Sequence, residues 1–465
     1  MAINAPSLAA TLSQSKDFFV ETKHKVVQQT TKQIAKKIGT PMQRDHNGNI
    51  NILVAWFGGE WHAGAYLTDS LLVASFDPKE HTVAMISIPR DLIVNKEGAI
   101  VKINSIFAYA MSASAYDKAQ AAQALASKLS DLTGLEIPYY VLVDFQWFLS
   151  LVDQLGGVDV DIPYDLYDYA FPGSNDSYRV FSVQAWPQHL DAQTALDYAR
   201  SRHSTSDFSR SQRQQLIIKA LLESLKDEWL SLDLMEKLYT SYTSYLTTNI
   251  SLEEMLGLLV YGDTIPDMVS FGYTYECNNN LWRTMQNWCL LYPVNQEEFG
   301  GMAWMLPRNA YLGNISHYDE TQRFAQFVST HLGALKQDFA IRIYNAVDPS
   351  YASSFAYRSG LAWGLATKLK RYGFDVESVQ DADTSLSGTL AYISGDGDAL
   401  KLLEGLSVFV DIDDIQYNHA TVNLSGDVLP PTIDLYLGNS FLDRYGSAIF
   451  NTYLTDAELN HHPKF

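Results

Sequence analysis

The chain has 465 residues, 47% of them hydrophobic and 18% charged, and its 33 basic against 53 acidic residues give a formal charge of -20. That length exceeds what one hydrophobic core usually organises, so two or three domains are expected, and the composition is globular rather than disordered. The negative excess repels phosphate backbones at long range and excludes sequence-independent nucleic-acid binding, so a polyanionic ligand requires a locally basic pocket.

Residues 1–46 spread Lys16, Lys23, Lys25, Lys32, Lys36 and Lys37 through a polar, helix-prone stretch without a signal-peptide pattern. The stretch reads equally as an ordinary solvated helix and as a helical stalk or juxtamembrane segment whose membrane anchor is absent from the chain. No run reaches the roughly 18–20 apolar residues of a membrane-spanning helix. Gly39, Pro41 and the Asp45-His46-Asn47-Gly48-Asn49 cluster end this segment, and a domain over 47–335 begins with the strand-like run Ile50 to Val54. Leu71 to Phe76 and Val83 to Ile88, separated by the turn-forming Asp77-Pro78-Lys79-Glu80, predict a hairpin.

Residues 117–133 have helical spacing, and Tyr139 to Val143 predicts a buried strand. Phe145 to Leu155 predicts a helix ending at Gly156-Gly157, and Val158 to Ile162 alternates as a strand does. Asp191 to Ala199 and Asp207 to Glu228 predict two more helices. This succession implies a layered α/β (α+β) domain with a central mixed sheet flanked by helices. Residues 230–335 read as helices and strands closing that domain. They include Cys277 and Cys289, which match no CxxC spacing and read as a disulfide or as two free thiols. A small C-terminal α/β domain over 338–440 follows, with strands at Ala340 to Tyr344, Asp375 to Val379 and Ile433 to Leu437 and a helix at Tyr357 to Tyr372. Residues 441–465 form a tail.

Arg200, Arg202, Arg210 and Arg213 fall within fourteen residues of an acidic protein. In a helix starting near Asp207, Asp207, Arg210 and Gln214 stand three and four residues apart on one face, where they converge on one ligand. Guanidinium groups present forked donors that match phosphate oxygens and stay charged at any working pH. The competing reading pairs these arginines with Asp197, Asp207 and Glu223 on a solvated surface. A second candidate region joins Thr68-Asp69-Ser70, before one apolar run, to Ile88-Pro89-Arg90-Asp91, at the end of another; strand ends are where α/β folds place ligand contacts, although Pro89 and Asp91 also suit a simple turn. The loop Gly58 to Gly64 is not a phosphate-binding P-loop, since no Gly-Lys-Ser/Thr follows.

Thr68-Asp69-Ser70, Ser87 to Asp91, Lys102-Ile103-Asn104, Val143-Asp144-Phe145, Leu155 to Val160, Ala195 to Arg202 and Asp207 to Gln215 occur in the order and approximate spacing of the LytR-CpsA-Psr family, which the chain resembles. Ile341, Asn345-Ala346, Gly373 to Val376 and Leu435 to Gly438 resemble the LytR C-terminal domain. The resemblance implies a pyrophosphate site in which Arg90, Arg200, Arg202 and Arg210 hold the diphosphate and Gln214 assists. Asp69 matches the family's magnesium-binding aspartate. Asp207 matches an aspartate that orients the arginines or helps activate the acceptor hydroxyl, giving Asp69, Arg90, Asp207 and Arg210 as the implied catalytic set. The carrier's lipid tail is expected in an apolar groove of the same domain. Two departures stand out: Leu67 occupies a position where the family usually has arginine, and the Phe57 to Gly64 loop replaces its Asp-x-Arg. Glu60 is the candidate for the missing metal carboxylate.

The implied activity is that of a Mg2+-dependent phosphotransferase at the extracellular face of the bacterial cytoplasmic membrane. A peptidoglycan hydroxyl attacks the distal phosphorus of a polyprenyl pyrophosphate-linked glycopolymer such as a teichoic acid. Polyprenyl phosphate leaves and a phosphodiester remains. Two other readings share the site: a pyrophosphatase using water as acceptor, and a noncatalytic module that holds anionic wall polymer. A transcription regulator is disfavoured by the acidic charge and the lack of a basic recognition helix.

Overall fold

A polar turn launches the first sheet. Asp45 accepts hydrogen bonds at 2.9 Å from the backbone N–H groups of Asn47 and Asn49 and from the Asn51 side chain, and the chain then enters an apolar strand. The computed structural model describes residues 37, 39–59, 64–173, 177–201, 207–228, 247–258, 261, 266–273, 290–293, 305–307, 318–351, 360–395, 398–418 and 431–445. The expected N-terminal stalk, apart from its last residues, and both cysteines lie outside them.

Strands β1 (Ile50–Phe57), β2 (Thr68–Asp77) and β3 (Thr82–Ile88) form an antiparallel meander, as the paired apolar runs predict. A small hairpin of β4 (Ile93–Lys96) and β5 (Ala99–Lys102) leads into helices α1 (Ile106–Ala113) and α2 (Lys118–Thr133). Asp117 caps α2 by accepting from the N–H groups of Ala119 and Gln120. Strand β6 (Tyr139–Asp144) returns parallel to β1, and Asp144 caps α3 (Phe145–Gln154) through Trp147 N at 2.7 Å.

The next segment carries β7 (Val158–Asp161), β8 (Leu166–Pro172), β9 (Tyr178–Val183) and β10 (Pro187–Leu190), with β7 paired to β10 and β8 to β9. Helices α4 (Ala192–Arg200) and α5 (Asp207–Glu228) follow, α4 capped by Asp191. Then come β11 (Thr247–Thr248), α6 (Leu252–Leu258), β12 (Asp267–Gly272), β13 (Leu291–Pro293), β14 (Met305–Pro307), α7 (Asp319–Thr330) and α8 (Leu332–Leu335). The main sheet has the order β11-β6-β1-β2-β3-β12 and is mixed, with parallel pairs at β1/β6 and β3/β12. One face, through Leu53, Ala55, Phe57 and Val73, packs on Ala121, Leu125 and Leu129 of α2. The other, through Trp56 and Val143, packs on Phe148 of α3, Leu196 of α4 and Ile217 of α5.

A second, five-stranded mixed sheet has the order β16-β15-β19-β17-β18. It is built from β15 (Ala340–Asn345), α9 (Leu361–Arg371), β16 (Val376–Asp381), β17 (Leu390–Ser394), α10 (Ala399–Ser407), β18 (Asp414–Asn418), β19 (Thr432–Leu437) and α11 (Asn439–Tyr445). Two corrections to the sequence reading arise here. The helix expected from Tyr357 begins at Leu361, after Gly360 at φ 82°. The tail expected from residue 441 opens inside α11, whose Phe441 is fully buried among the strands' side chains.

The core is continuous across the boundary expected near residue 336. Helix α7 carries Phe324, whose ring lies 5.8 Å from both Tyr273 of the first unit and Tyr372 of the second, and Phe327, 5.1 Å from Phe409. Beside them Arg371 meets Glu320 at 2.6 Å, with both side chains 1% exposed. Among the described residues no helix is long and apolar enough to cross a membrane.

A buried ion pair costs desolvation of both charges and becomes expensive when one partner goes. Arg371→Met is therefore expected to lower unfolding free energy by about 3–5 kcal/mol, and adding Glu320→Leu should restore most of it. Urea denaturation of the two variants checks this; equal losses in the single and double variants would refute the coupling.

Candidate active site

The antiparallel register of β2 and β3 places Leu71 opposite Ile88, so Asp69 and Ser70 at the start of one strand lie beside Arg90, just past the end of the other. Arg90 Nη1 donates to Asp69 Oδ1 at 2.8 Å. Behind it, Lys102 Nζ donates to Asp91 Oδ1 at 2.6 Å, fixing the turn that carries Arg90. Arg90 Nε is buried without a hydrogen bond and faces Asp91 Oδ2 at 3.7 Å, a second carboxylate beside the guanidinium group.

Helix α5 is fastened across this corner by successive polar side chains. Arg210 Nη2 donates to the Asp69 carbonyl at 3.0 Å. Gln214 accepts from Ser70 Oγ at 2.5 Å and donates to the Ala199 carbonyl at 3.3 Å. Gln215 Nε2 donates to Ser87 Oγ at 2.9 Å. Arg213 points the other way: its Nε donates to the Tyr198 carbonyl at 3.0 Å and its Nη2 to the Ser201 carbonyl. Ser201 Oγ in turn donates to the buried Asp168 at 2.7 Å. The arginine cluster therefore divides, Arg210 facing the cavity and Arg213 holding the end of α4.

Arg200, in the last turn of α4, lies over the Phe145 ring at 4.5 Å and the Phe171 ring at 5.9 Å. Burial pulls its pKa below the ordinary arginine value, while the carboxylates of Asp197 and Asp69 pull it back up. It stays a cation at neutral pH.

These groups meet in one cavity of about 310 Å³, lined by Asp69, Arg90, Arg200, Arg210 and Gln214 on its polar side and by Trp56, Leu67, Phe145 and Pro172 on its apolar side. Arg90, from one stretch of sequence, is thus gathered with Arg200 and Arg210 from another. Asp207 opens α5, but its side chain, like all of Arg202 and Glu60, lies outside the described residues. Leu67 takes a place in the cavity wall. Of the partners in the surface-pair reading, Asp197 pairs with Arg179 while its charge also acts on Arg200, Glu223 pairs with Lys219 at 3.9 Å, and the Asp207 side chain lies outside the described residues.

Sequence reasoning missed several contributors. Trp56, next to last in β1, carried no motif signal, and Phe145, the first residue of α3, stood in the Val143-Asp144-Phe145 motif without being assigned a role. Arg179, stacked over Phe171 at 4.7 Å and joined to Asp197, had no local signal, because the β8–β9 register alone brings it there.

Among the described residues no group of three or more His, Cys, Asp or Glu side chains could hold a metal. The carboxylate in the cavity wall is Asp69, 38% exposed, with one oxygen engaged by Arg90. Mg2+ is commonly bound by one or two carboxylates together with substrate phosphates and water, so this donor set fits an ion shared with a diphosphate and not a protein-only cage.

The LytR_cpsA_psr family matches residues 14–293, more than half of the chain. The polyisoprenyl-teichoic acid--peptidoglycan teichoic acid transferase TagV of Bacillus subtilis (strain 168) is 31% identical over 197 residues, covering 41% of this chain and 47% of TagV. The transferase TagT of the same strain is 27% identical over 218 residues, covering 45% of this chain and 62% of TagT. The chain thus spans about half the length of these curated relatives. The crystal structure of B. subtilis TagV is 23% identical, with a TM-score of 0.43, covering 61% of this chain and 97% of that one.

Arg213 and Arg90 are expected to separate in their effects. Arg213→Met strips two buried carbonyls of a charged donor and should cost about 2–4 kcal/mol. Arg90→Met should cost clearly less, and a rise in melting temperature with inorganic pyrophosphate is expected of the unaltered chain but not of this variant. Thermal melts with and without pyrophosphate read both; a pyrophosphate response that survives Arg90→Met would detach that side chain from anion binding.

Proposed function

The chain belongs to the LytR_cpsA_psr family, and from that premise we propose that it is a cell-wall glycopolymer ligase, transferring a phospho-glycopolymer from a polyprenyl pyrophosphate carrier to a peptidoglycan hydroxyl. The observation that carries this reading is the convergence of Arg90, Arg200 and Arg210 around Asp69 in one cavity of an acidic protein. The names of the relatives, polyisoprenyl-teichoic acid--peptidoglycan teichoic acid transferases, support the substrate class.

In this reading the diphosphate enters the polar side of the cavity, where the guanidinium groups bind its oxygens in forked pairs. The apolar wall of Trp56, Leu67, Phe145 and Pro172 excludes water and strengthens those contacts. The acceptor hydroxyl attacks the sugar-linked phosphorus. A new O–P bond forms, the bridging P–O bond breaks, and the electron pair leaves with polyprenyl phosphate. Charge grows on the nonbridging and leaving oxygens, and guanidinium groups already fixed in place stabilise it without reorganising. Asp207 is the proposed acceptor of the hydroxyl proton, or the group that orients the arginines. Asp69, with the substrate's phosphates, is the proposed ligand of a Mg2+ ion, which when bound supplies further neutralisation of phosphate charge. The proposed site of reaction is the extracellular face of the cytoplasmic membrane, where carrier and wall would meet.

Arg90→Ala or Arg210→Ala should abolish polymer transfer, a loss of at least about 100-fold in rate, as for removal of one fixed oxyanion donor. EDTA should suppress transfer and added Mg2+ restore it. Radiolabelled donor, incubated with and without peptidoglycan, separates transfer from hydrolysis; wild-type transfer by both arginine variants would overturn the site.

A further inference from the structure

The β8–β9 hairpin stands beside the cavity with an unusual outer face. Its inner residues Leu166, Phe171, Phe181 and Val183 are buried, as one face of a two-stranded sheet should be. Its water-facing residues are ordinarily polar, yet here Tyr167 is 59% and Tyr169 65% exposed on β8, with Val180 and Ser182 exposed on β9 and Ser182 opposite Tyr167. Tyr164 and Trp186 extend the same aromatic character to the base of the hairpin, at 80% and 54% exposure. Exposed apolar residues scattered singly need no explanation, but a contiguous set rimmed by polar groups marks an interaction surface.

This surface is continuous with the candidate active site. Pro172 ends β8 and also lines the cavity, and its neighbour Phe171 lies under the guanidinium groups of Arg179 and Arg200. From Pro172 back through Tyr169 to Tyr167, the strand leads away from the cavity over roughly 16 Å, at about 3.3 Å per residue.

Charge decides between the occupants that aromatic side chains suit. Asp161 and Asp165 are exposed near the far end, and Arg179, the hairpin's own cation, is joined to Asp197. An anionic polymer or an anionic lipid surface meets net repulsion here. An uncharged sugar chain does not: the C–H face of a pyranose ring is apolar and stacks on a phenol or indole, while its hydroxyl edge meets water, the tyrosine hydroxyls and the carboxylates. Tyr and Trp suit such a ligand because each offers an apolar ring with a polar tip.

We propose that the outer face of the β8–β9 hairpin is a binding platform for an uncharged polysaccharide, the acceptor glycan, which runs along Tyr167 and Tyr169 and brings a hydroxyl to the cavity at Pro172. The word acceptor rests on the transferase reading; the binding itself needs no turnover and is tested without it.

The probe is the N-acetylglucosamine hexamer, titrated into the full chain by calorimetry, with phosphatidylglycerol vesicles as the comparison surface. The paired Tyr167→Ala and Tyr169→Ala substitutions should weaken hexamer binding about tenfold, as expected for two lost ring contacts, with the melting temperature unchanged. The paired Tyr167→Phe and Tyr169→Phe substitutions, which keep the rings, should retain most of the affinity. Arg90→Ala should bind the hexamer normally while failing in transfer; failed transfer by the unaltered chain with intact, tyrosine-dependent hexamer binding would sink the transferase reading and leave the platform standing. No hexamer binding by the unaltered chain, equal affinity in the alanine variant, or a loss confined to vesicle binding would each overturn the platform.

Discussion

The site depends on one carboxylate placed among cations. Two like unit charges about 4 Å apart repel by about 4 kcal/mol at an effective dielectric of ~20, so guanidinium groups do not gather unaided. Asp69 offers its side chain to Arg90 and its main-chain carbonyl to Arg210, and its charge also acts on Arg200. That arrangement, with Asp91 against Arg90 Nε at 3.7 Å, holds the arginines in position before a ligand arrives. Preorganised charge of this kind is what a reaction that builds charge on phosphate oxygens requires.

Asp69 can do this because α5 is locked to the sheet with no freedom of register. Gln214 and Gln215 bond to Ser70 and Ser87 on two neighbouring strands, while Arg213 grips the carbonyls that end α4. Each of these polar groups is buried, so an unmade bond carries the full cost of its desolvation. The position of Arg210 is therefore set by its helical neighbours as much as by its own contacts.

The second sheet is part of the same mechanical frame. Phe324 and Phe327 of α7 pack against both units, and the Glu320–Arg371 pair is sealed between them. Strand β12, which pairs with β3 behind the Arg90 turn, is itself backed by Phe324 through Phe271. The apolar contacts of the C-terminal unit thus reach the strand that carries the site.

The sequence by itself determined the elements whose cause is local. Helices α2, α3 and α4 were legible because each begins at an aspartate cap and keeps a 3.6-residue apolar period, and α5 because Arg210 and Gln214 fall on one face of such a period. The motif residues also pointed to side chains that the fold brings together, since Asp69, Arg90, Arg200, Arg210 and Gln214 line one cavity. The tertiary structure alone decided which arginine does what: Arg210 and Arg213 are three residues apart and chemically identical, and only the packing of α5 turns one to the cavity and the other to buried carbonyls. It alone decided the β8–β9 hairpin, whose outward tyrosines invert the polarity that marks a half-buried strand, and the reach of Arg179 to Asp197. It also decided that the core runs on past residue 336, since aromatic rings distant in sequence carry no record of which face they will share. Partners separated along the chain are chosen by distance through space, and that distance is a property of the folded molecule.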